Sequence, residues 1–390
     1  MKSIRDLSLA GKRLFLRVDF NVPLEDGRVT DATRIRETLP TVRLACEAGA
    51  RVVCASHLGK PKGKPNAEYS LAPVAVEFAK QLARPVRFVE DCVGPEALRT
   101  VGSLADGEVL LLENLRFHPG EESNDPDFSR QLAALADAYV DDAFGAAHRA
   151  HASIVGVPRL VSEKGAGLLM EKEVTELSKL LQPERPFAAI LGGAKISGKI
   201  ETMRALAKTA DLLLIGGGMA NHFVRALGLS VGRSLLDPES VPLAREILDY
   251  CKREKKTIAL PSDFVVAKSP EDASGARIVG IAQIPEDRMA LDVGPKTLEQ
   301  FQRLLLPART VFWNGPMGVF EHPPFDRGTR TLATLLAESR AVTVVGGGES
   351  VAAVHAAGLG ERFTHVSTGG GASLEFLAEG TLPGIEALGS

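Results

Sequence analysis

Cysteine is scarce in this chain and poorly placed for chemistry. Cys46, Cys54, Cys92 and Cys251 are scattered over 390 residues, with no C-x-x-C pair and no histidine at zinc-finger spacing. That pattern indicates neither a disulfide framework nor a metal knuckle, and the four read as small core residues in a reducing cytosol. Charge of one sign is also lacking: 46 basic against 49 acidic residues leave a net charge of −3, too balanced to coat nucleic acid or an anionic membrane. No segment approaches the run of about 18 apolar residues that a membrane span needs, and Met1-Lys2-Ser3-Ile4-Arg5-Asp6 has no apolar leader core. A cytoplasmic protein without nucleic-acid or membrane partners is expected. Repeats and low-complexity tracts are missing as well.

What is present is an ordinary globular composition, 45% hydrophobic and 24% charged, in a chain too long for one hydrophobic core to organise. Short apolar runs alternate with helical periodicity, the pattern of βαβ units around parallel sheets. Strands are expected over 13–19, 50–56, 109–112 and 138–142, then over 187–191, 212–215, 257–260, 310–313 and 342–345. Helices are expected over 34–48, 241–256 and 296–306. A charged amphipathic stretch, 168–181, stopped by Pro183 and Pro186, reads as a helix joining two lobes.

In the first half, polar residues stand just beyond the apolar runs: Asp19 and Asn21, His57, Arg116 and Arg149, with Arg34 opening the first helix. Ligands of open parallel sheets collect at the carboxyl ends of strands, so these residues share one crevice. Any single Arg reads as a surface charge, but the set suits a small multiply charged anion such as a phosphorylated carboxylic acid. His57, His148 and His151, taken singly, read as hydrogen-bonded structural histidines, and the His148/His151 spacing is weak support for a metal.

The second half carries three Gly-Gly-Gly runs at strand-to-helix switches, 216–218, 346–348 and 369–371, where the backbone approaches an anion closely at a helix N-terminus. Gly193, Gly198 and Lys199 match a Walker A loop, but Ile200 stands where that loop needs a Mg²⁺-binding hydroxyl. The glycines and the two lysines, Lys195 and Lys199, remain suited to phosphoryl oxygens. No run forms a dinucleotide fingerprint with its ribose-binding acid, which disfavours an oxidoreductase. Around Trp313-Asn-Gly-Pro316, apolar walls suit an adenine and Glu321 suits ribose hydroxyls, whereas Trp313 itself reads as core packing. A P-loop ATPase and a non-catalytic sugar-phosphate binder are the rival readings; Ile200 argues against the first and the second half against the other.

The motifs Arg17-Val-Asp-Phe-Asn-Val-Pro23, Ser56-His-Leu-Gly59, Glu113-Asn-Leu-Arg-Phe117, Ala147-His-Arg-Ala-His151, Gly192-Gly-Ala-Lys195, Trp313-Asn-Gly-Pro316 and Ser367-Thr-Gly-Gly-Gly-Ala-Ser373 stand in order, and over essentially its whole length the chain resembles the phosphoglycerate kinase family. The resemblance implies an α/β fold of two Rossmann-like lobes, each a parallel sheet covered by helices. It implies a triose-phosphate lobe over 1–168, an interdomain helix over 169–182, a nucleotide lobe over 183–376, and a segment 377–390 returning to the first lobe. Its partners would be 3-phosphoglycerate or 1,3-bisphosphoglycerate and ADP or ATP with Mg²⁺, in a monomer whose lobes close by a hinge.

Carried over by motif, Asp19, Phe20, Asn21, Arg34, His57, Leu58, Gly59, Lys60, Arg116 and Arg149 resemble the triose site. Gly193, Ala194, Lys195, Lys199, Gly217, Asn314, Pro316, Gly318, Glu321, Gly347, Gly348, Glu349 and Ser350 resemble the nucleotide site. Glu349 is the expected metal contact. Two departures are that Lys60 replaces the usual Arg, and that Glu349-Ser350 replaces the usual Asp-Thr, adding a methylene to the carboxylate arm. The implied reaction transfers a phosphoryl group between two nucleophiles that are already anionic, so it needs no general base. Arg34, Lys199 and the N–H groups around Gly370 and Gly371 are the expected contacts of the group in transfer.

Overall fold

The protein is described from a computed structural model covering residues 1–194 and 200–389, the side chains of Ile200 and Glu201 excepted. Its contacts divide the chain into two compact units, Met1–Thr175 with Thr381–Ser390, and Glu176–Gly380.

The first unit is built on six strands: β1 (Arg13–Arg17), β2 (Arg51–Ala55), β3 (Val86–Val89), β4 (Val109–Leu112), β5 (Ala138–Asp141) and β6 (Glu163–Ala166). They lie in the order β3-β4-β2-β1-β5-β6, and every pairing is parallel. Leu14, Phe15 and Leu16, like Val52, Val53 and Cys54, are buried in succession, as strands covered on both faces require. The helix Thr33–Glu47 turns Ile35, Leu39, Val42 and Cys46 into this core at helical spacing. The chain winds from β1 toward β2 on one side and from β5 toward β6 on the other, so the winding reverses between the parallel neighbours β1 and β5.

This unit runs through Thr175, past the expected limit at 168, because the start of the helix Leu168–Ser178 is tied into it. Asp142 Oδ1 accepts the backbone N–H groups of Leu169 and Met170 at 2.9 and 3.1 Å, and Arg5 pairs with Glu171 at 3.0 Å. The C-terminal segment joins the unit at Thr381, not at Leu377. The helix Gly371–Glu379 stays with the second unit, where Leu374 C=O accepts from Thr202 Oγ1 at 3.0 Å, and it ends at Gly380 in the left-handed conformation. Beyond it, Ala387 packs with Ala143, Ala146, Ile154 and Val155, and Gly384 N–H donates to Ala147 C=O at 2.9 Å.

The second unit has its own parallel sheet, of β7 (Phe187–Leu191), β8 (Leu212–Ile215), β9 (Thr257–Ala259), β13 (Thr310–Asn314), β14 (Val342–Gly346) and β15 (His365–Val366). Their order is β9-β8-β7-β13-β14-β15. This is the doubly wound arrangement whose ligand crevice lies where the winding reverses, here between β7 and β13. Three further strands, β10 (Asp263–Ala267), β11 (Arg277–Gly280) and β12 (Met289–Val293), form an antiparallel sheet ordered β11-β10-β12. Trp313 is fully buried in the core beside Phe363, with ring centroids 6.4 Å apart. Among the described residues no helix is long and apolar enough to cross a membrane.

Candidate active site

In the first unit the loops that follow β1, β2 and β4 are laced together by their own polar groups. Asn21 Oδ1 accepts from Gly59 N–H at 2.9 Å, and Gly59 C=O in turn accepts from Arg116 Nη1 at 2.8 Å. Arg34, at the start of its helix, pairs with Asp19. Burial alone would raise the Asp19 carboxyl, but Arg34 beside it brings it below the usual carboxylate range. Asp19, Asn21, Arg34, Gly59 and Arg116 are thus drawn into one cluster.

His57 belongs to the same cluster through a residue the sequence reading did not place in the site. Arg17, fully buried at the end of β1, donates through Nε to Ser153 Oγ at 2.9 Å and through Nη2 to His57 Nδ1 at 3.1 Å. A guanidinium only donates, so Nδ1 is the acceptor and the ring proton sits on Nε2. Burial, followed by the nearby guanidinium of Arg17, pushes the imidazole well below its ordinary pKa. His57 is therefore a neutral, oriented N–H donor. The missed signal was the position of Arg17: a cation inside an apolar strand run, where burial demands partners.

The remaining triose-site expectations separate by exposure. Phe20 is fully buried, edge-on to Phe78 at 4.9 Å, and meets its surroundings through its N–H, which donates to Ser56 Oγ at 2.8 Å. Leu58 is also core, its C=O accepting from Asn114 Nδ2 at 2.7 Å. Lys60 and Arg149 are exposed. His151 is buried and its pKa falls to about 3, through burial and then the charge of Arg116.

In the second unit the reversal between β7 and β13 carries a cavity of about 320 Å³. Gly193, Ala194, Gly217, Pro316, Gly318, Glu321 and Glu349 line it together with Asn221, Leu235, Met289 and Leu291. The loops meet backbone to backbone: Gly193 N–H donates to Pro316 C=O at 2.8 Å, and Met219 N–H to Gly193 C=O at 2.9 Å. Gly217, at φ +57°, has space for no side chain, since a Cβ would come within 2.5 Å of Pro316 O. Around Gly370, at φ +53°, nothing lies within 4 Å of where a Cβ would stand. The first glycine run, 216–218, is thus consumed by packing, and the last one faces open space at the start of a helix.

Four expected nucleotide residues do not line this cavity. Asn314, the first residue of the Asn-Gly-Pro turn, is buried beneath Gly347, and Ser350 is fully buried, its Oγ accepting from Gly315 N–H at 2.6 Å, so Ser350 holds that turn from behind. Gly347 and Gly348 form the turn into the helix Gly348–Ala356, which presents Glu349 exposed at its first turn. Lys195 and Lys199 lie outside the described residues. The strand β12, which supplies Met289 and Leu291, escaped the sequence reading, as did Asn221. Its Nδ2 donates to Leu235 C=O at 3.0 Å while Oδ1, also buried, has no hydrogen-bond partner.

Comparison with known proteins converges on one family. Residues 4–380 match the family Phosphoglycerate kinase. The chain is 52% identical over 391 residues to the phosphoglycerate kinase of Anaeromyxobacter dehalogenans, covering 99% of each chain, and 53% identical to that of Solibacter usitatus, covering 99% and 98%. Among solved structures, phosphoglycerate kinase from Coxiella burnetii superposes with a TM-score of 0.88 at 39% identity, covering 100% of this chain and 98% of that one. The enzyme from Pyrococcus horikoshii gives 0.89 at 34% identity with the same coverage. The chain belongs to the phosphoglycerate kinase family, and its chemistry is phosphoryl transfer with a carboxyl group as acceptor.

Proposed function

We propose that the first unit binds 3-phosphoglycerate or 1,3-bisphosphoglycerate at the Asp19–Asn21, Arg34, His57–Lys60, Arg116 and Arg149 cluster, and that the second binds ADP or ATP in the 320 Å³ cavity. The reaction is the reversible exchange of one phosphoryl group between the acyl phosphate and ADP, a step of glycolysis. The observation that carries this reading is that Gly193, Ala194, Gly217, Pro316, Gly318, Glu321 and Glu349, distant in sequence, line one cavity at a sheet reversal.

Leu235, Met289 and Leu291 offer a base its apolar walls, and Glu321 offers ribose hydroxyls an acceptor. Glu349 is a hard oxygen ligand at the same cavity and fits Mg²⁺, which typically takes one or two carboxylates plus substrate phosphates. When bound, the ion neutralises phosphate charge. On the acceptor side, neutral His57 donates through Nε2–H to a substrate oxygen without itself titrating, and Arg34 and Arg116 bring positive charge to a polyanion. Arg34, Lys199 and the backbone N–H groups at Gly370 and Gly371 hold the group in transfer. Direct transfer requires donor and acceptor within in-line reach, so the reading includes closure of the units about a hinge, in a cytoplasmic monomer.

The test is ATP consumption dependent on 3-phosphoglycerate, coupled to an NADH-dependent dehydrogenase, with and without Mg²⁺. Activity that needs both additions is expected. Nucleotide binding without transfer would overturn the reading.

A further inference from the structure

Outside the residues used above, one cluster in the first unit joins three different ligand chemistries. Asp91 and Cys92 follow β3, and His118 follows the turn Leu115–Phe117 that carries Arg116. A carboxylate oxygen of Asp91, the Cys92 sulfur and a ring nitrogen of His118 all lie within 4.8 Å of one another.

Each of the three is held in place. His118 stacks on Phe128 with centroids 5.2 Å apart, and its Nε2 meets Asp91 Oδ1 at 2.7 Å. That carboxylate also accepts the backbone N–H of Cys92 at 2.7 Å. Cys92 is 1% exposed, whereas the side chains of His118 and Asp91 are 32% and 48% exposed. The thiol is thus the floor of the cluster, and the imidazole and carboxylate are a rim that solvent reaches. A histidine–aspartate hydrogen bond explains two of the residues but leaves the sulfur beside them unaccounted for.

We propose that Asp91, Cys92 and His118 bind a borderline-soft divalent cation, Zn²⁺ in preference to Mg²⁺, with water completing a four-coordinate shell. Sulfur and imidazole select such ions, whereas Mg²⁺ demands six oxygens. On binding, the proton between His118 Nε2 and Asp91 gives way to the ion and the neutral ring takes the tautomer with its one proton on Nδ1, exchanged through solvent, so that Nε2 and the carboxylate both ligate. The Cys92 thiol releases its proton to solvent, so one dication meets two anions and the shell is neutral. An ion here clamps the loop after β3 to the segment that carries Arg116, two residues before His118. The proposal does not depend on the nucleotide or triose assignments.

The test titrates the metal-free full-length protein with Co²⁺ alone, without nucleotide. Expected are a thiolate-to-cobalt charge-transfer band saturating at one ion per chain, its loss on competition with Zn²⁺, and its persistence in excess Mg²⁺. Cys92→Ser abolishes the band, His118→Gln weakens binding by more than about 100-fold, beyond what changes to a ligand's supporting partners cost, and Cys46→Ala leaves both unchanged. Zn²⁺ raises the thermal midpoint of the parent protein and not of His118→Gln, a readout that stands if Cys92→Ser fails to fold. A missing band in the folded parent, a band that survives Cys92→Ser, or equal Zn²⁺ stabilisation of parent and His118→Gln would overturn the proposal.

Discussion

His57 derives its chemistry from a neighbour that touches no substrate in the proposed reading. With Arg17 donating to Nδ1, the ring has one proton, on Nε2, and burial keeps it neutral below its ordinary value of 6.5. Nitrogen-15 spectra should therefore show a single His57 tautomer that does not titrate as pH falls through 6.5; a half-protonated ring at that pH would refute the assignment. Asp19 and Arg34 form the other side of the cluster. If Arg34 or Lys199 contacts the phosphoryl group mainly in the transition state, either change to Ala should lower kcat by about 100-fold or more, some 3 kcal/mol, with KM changing less. These roles were legible only in part. His57 and Arg116 stood out as polar residues after apolar runs and Arg34 as the opening of the first helix, but Arg17 sat inside such a run and Cys92 was indistinguishable from a core thiol.

Elements position these side chains through contacts made far along the chain. The turn after β13 is held from behind by Ser350, whose hydroxyl accepts the Gly315 N–H at 2.6 Å. Ser350→Ala leaves that buried donor unpaired and should cost about 1–3 kcal/mol in denaturant unfolding, with weaker nucleotide binding. An unchanged midpoint would show that the bond contributes nothing. Central strands were readable as continuous apolar runs, because burial on both faces dictates their composition. Val86–Val89 and Glu163–Ala166 are edge strands, and Glu163-Lys-Gly-Ala166 has no β signature at all; its pairing is imposed by β5. The antiparallel β10–β12 sheet was also missed, although Phe264-Val265-Val266 in its central strand is apolar and β-branched, and with it went two walls of the cavity.

At the scale of the whole molecule, three buried carboxyls tie stability to pH. Burial first, only partly offset by hydrogen bonds, raises Asp141 to about 6, Asp142 to about 7 and Asp292 to about 8. Each binds its proton more tightly folded than unfolded, so their joint contribution to stability is greatest in mild acid. It falls as pH rises from about 4 through these values. Asp292→Asn should flatten the decline toward pH 8, measured by urea unfolding at several pH values; an identical slope would remove Asp292 from the account. If the units close for transfer, small-angle scattering should show compaction only when both ligands are bound, and an unchanged radius in an active enzyme would exclude closure.

The order of short apolar runs, the residues that follow them and the glycine punctuation by themselves determined a doubly wound α/β protein, its family and most of its polar cast, because strand burial and backbone approach constrain local composition. Which loops meet was decided only in three dimensions. Gly193 against Pro316, Arg17 against His57 and Cys92 against His118 are pairings between strands that lie side by side while remaining far apart in the chain, and no local pattern encodes such a neighbour.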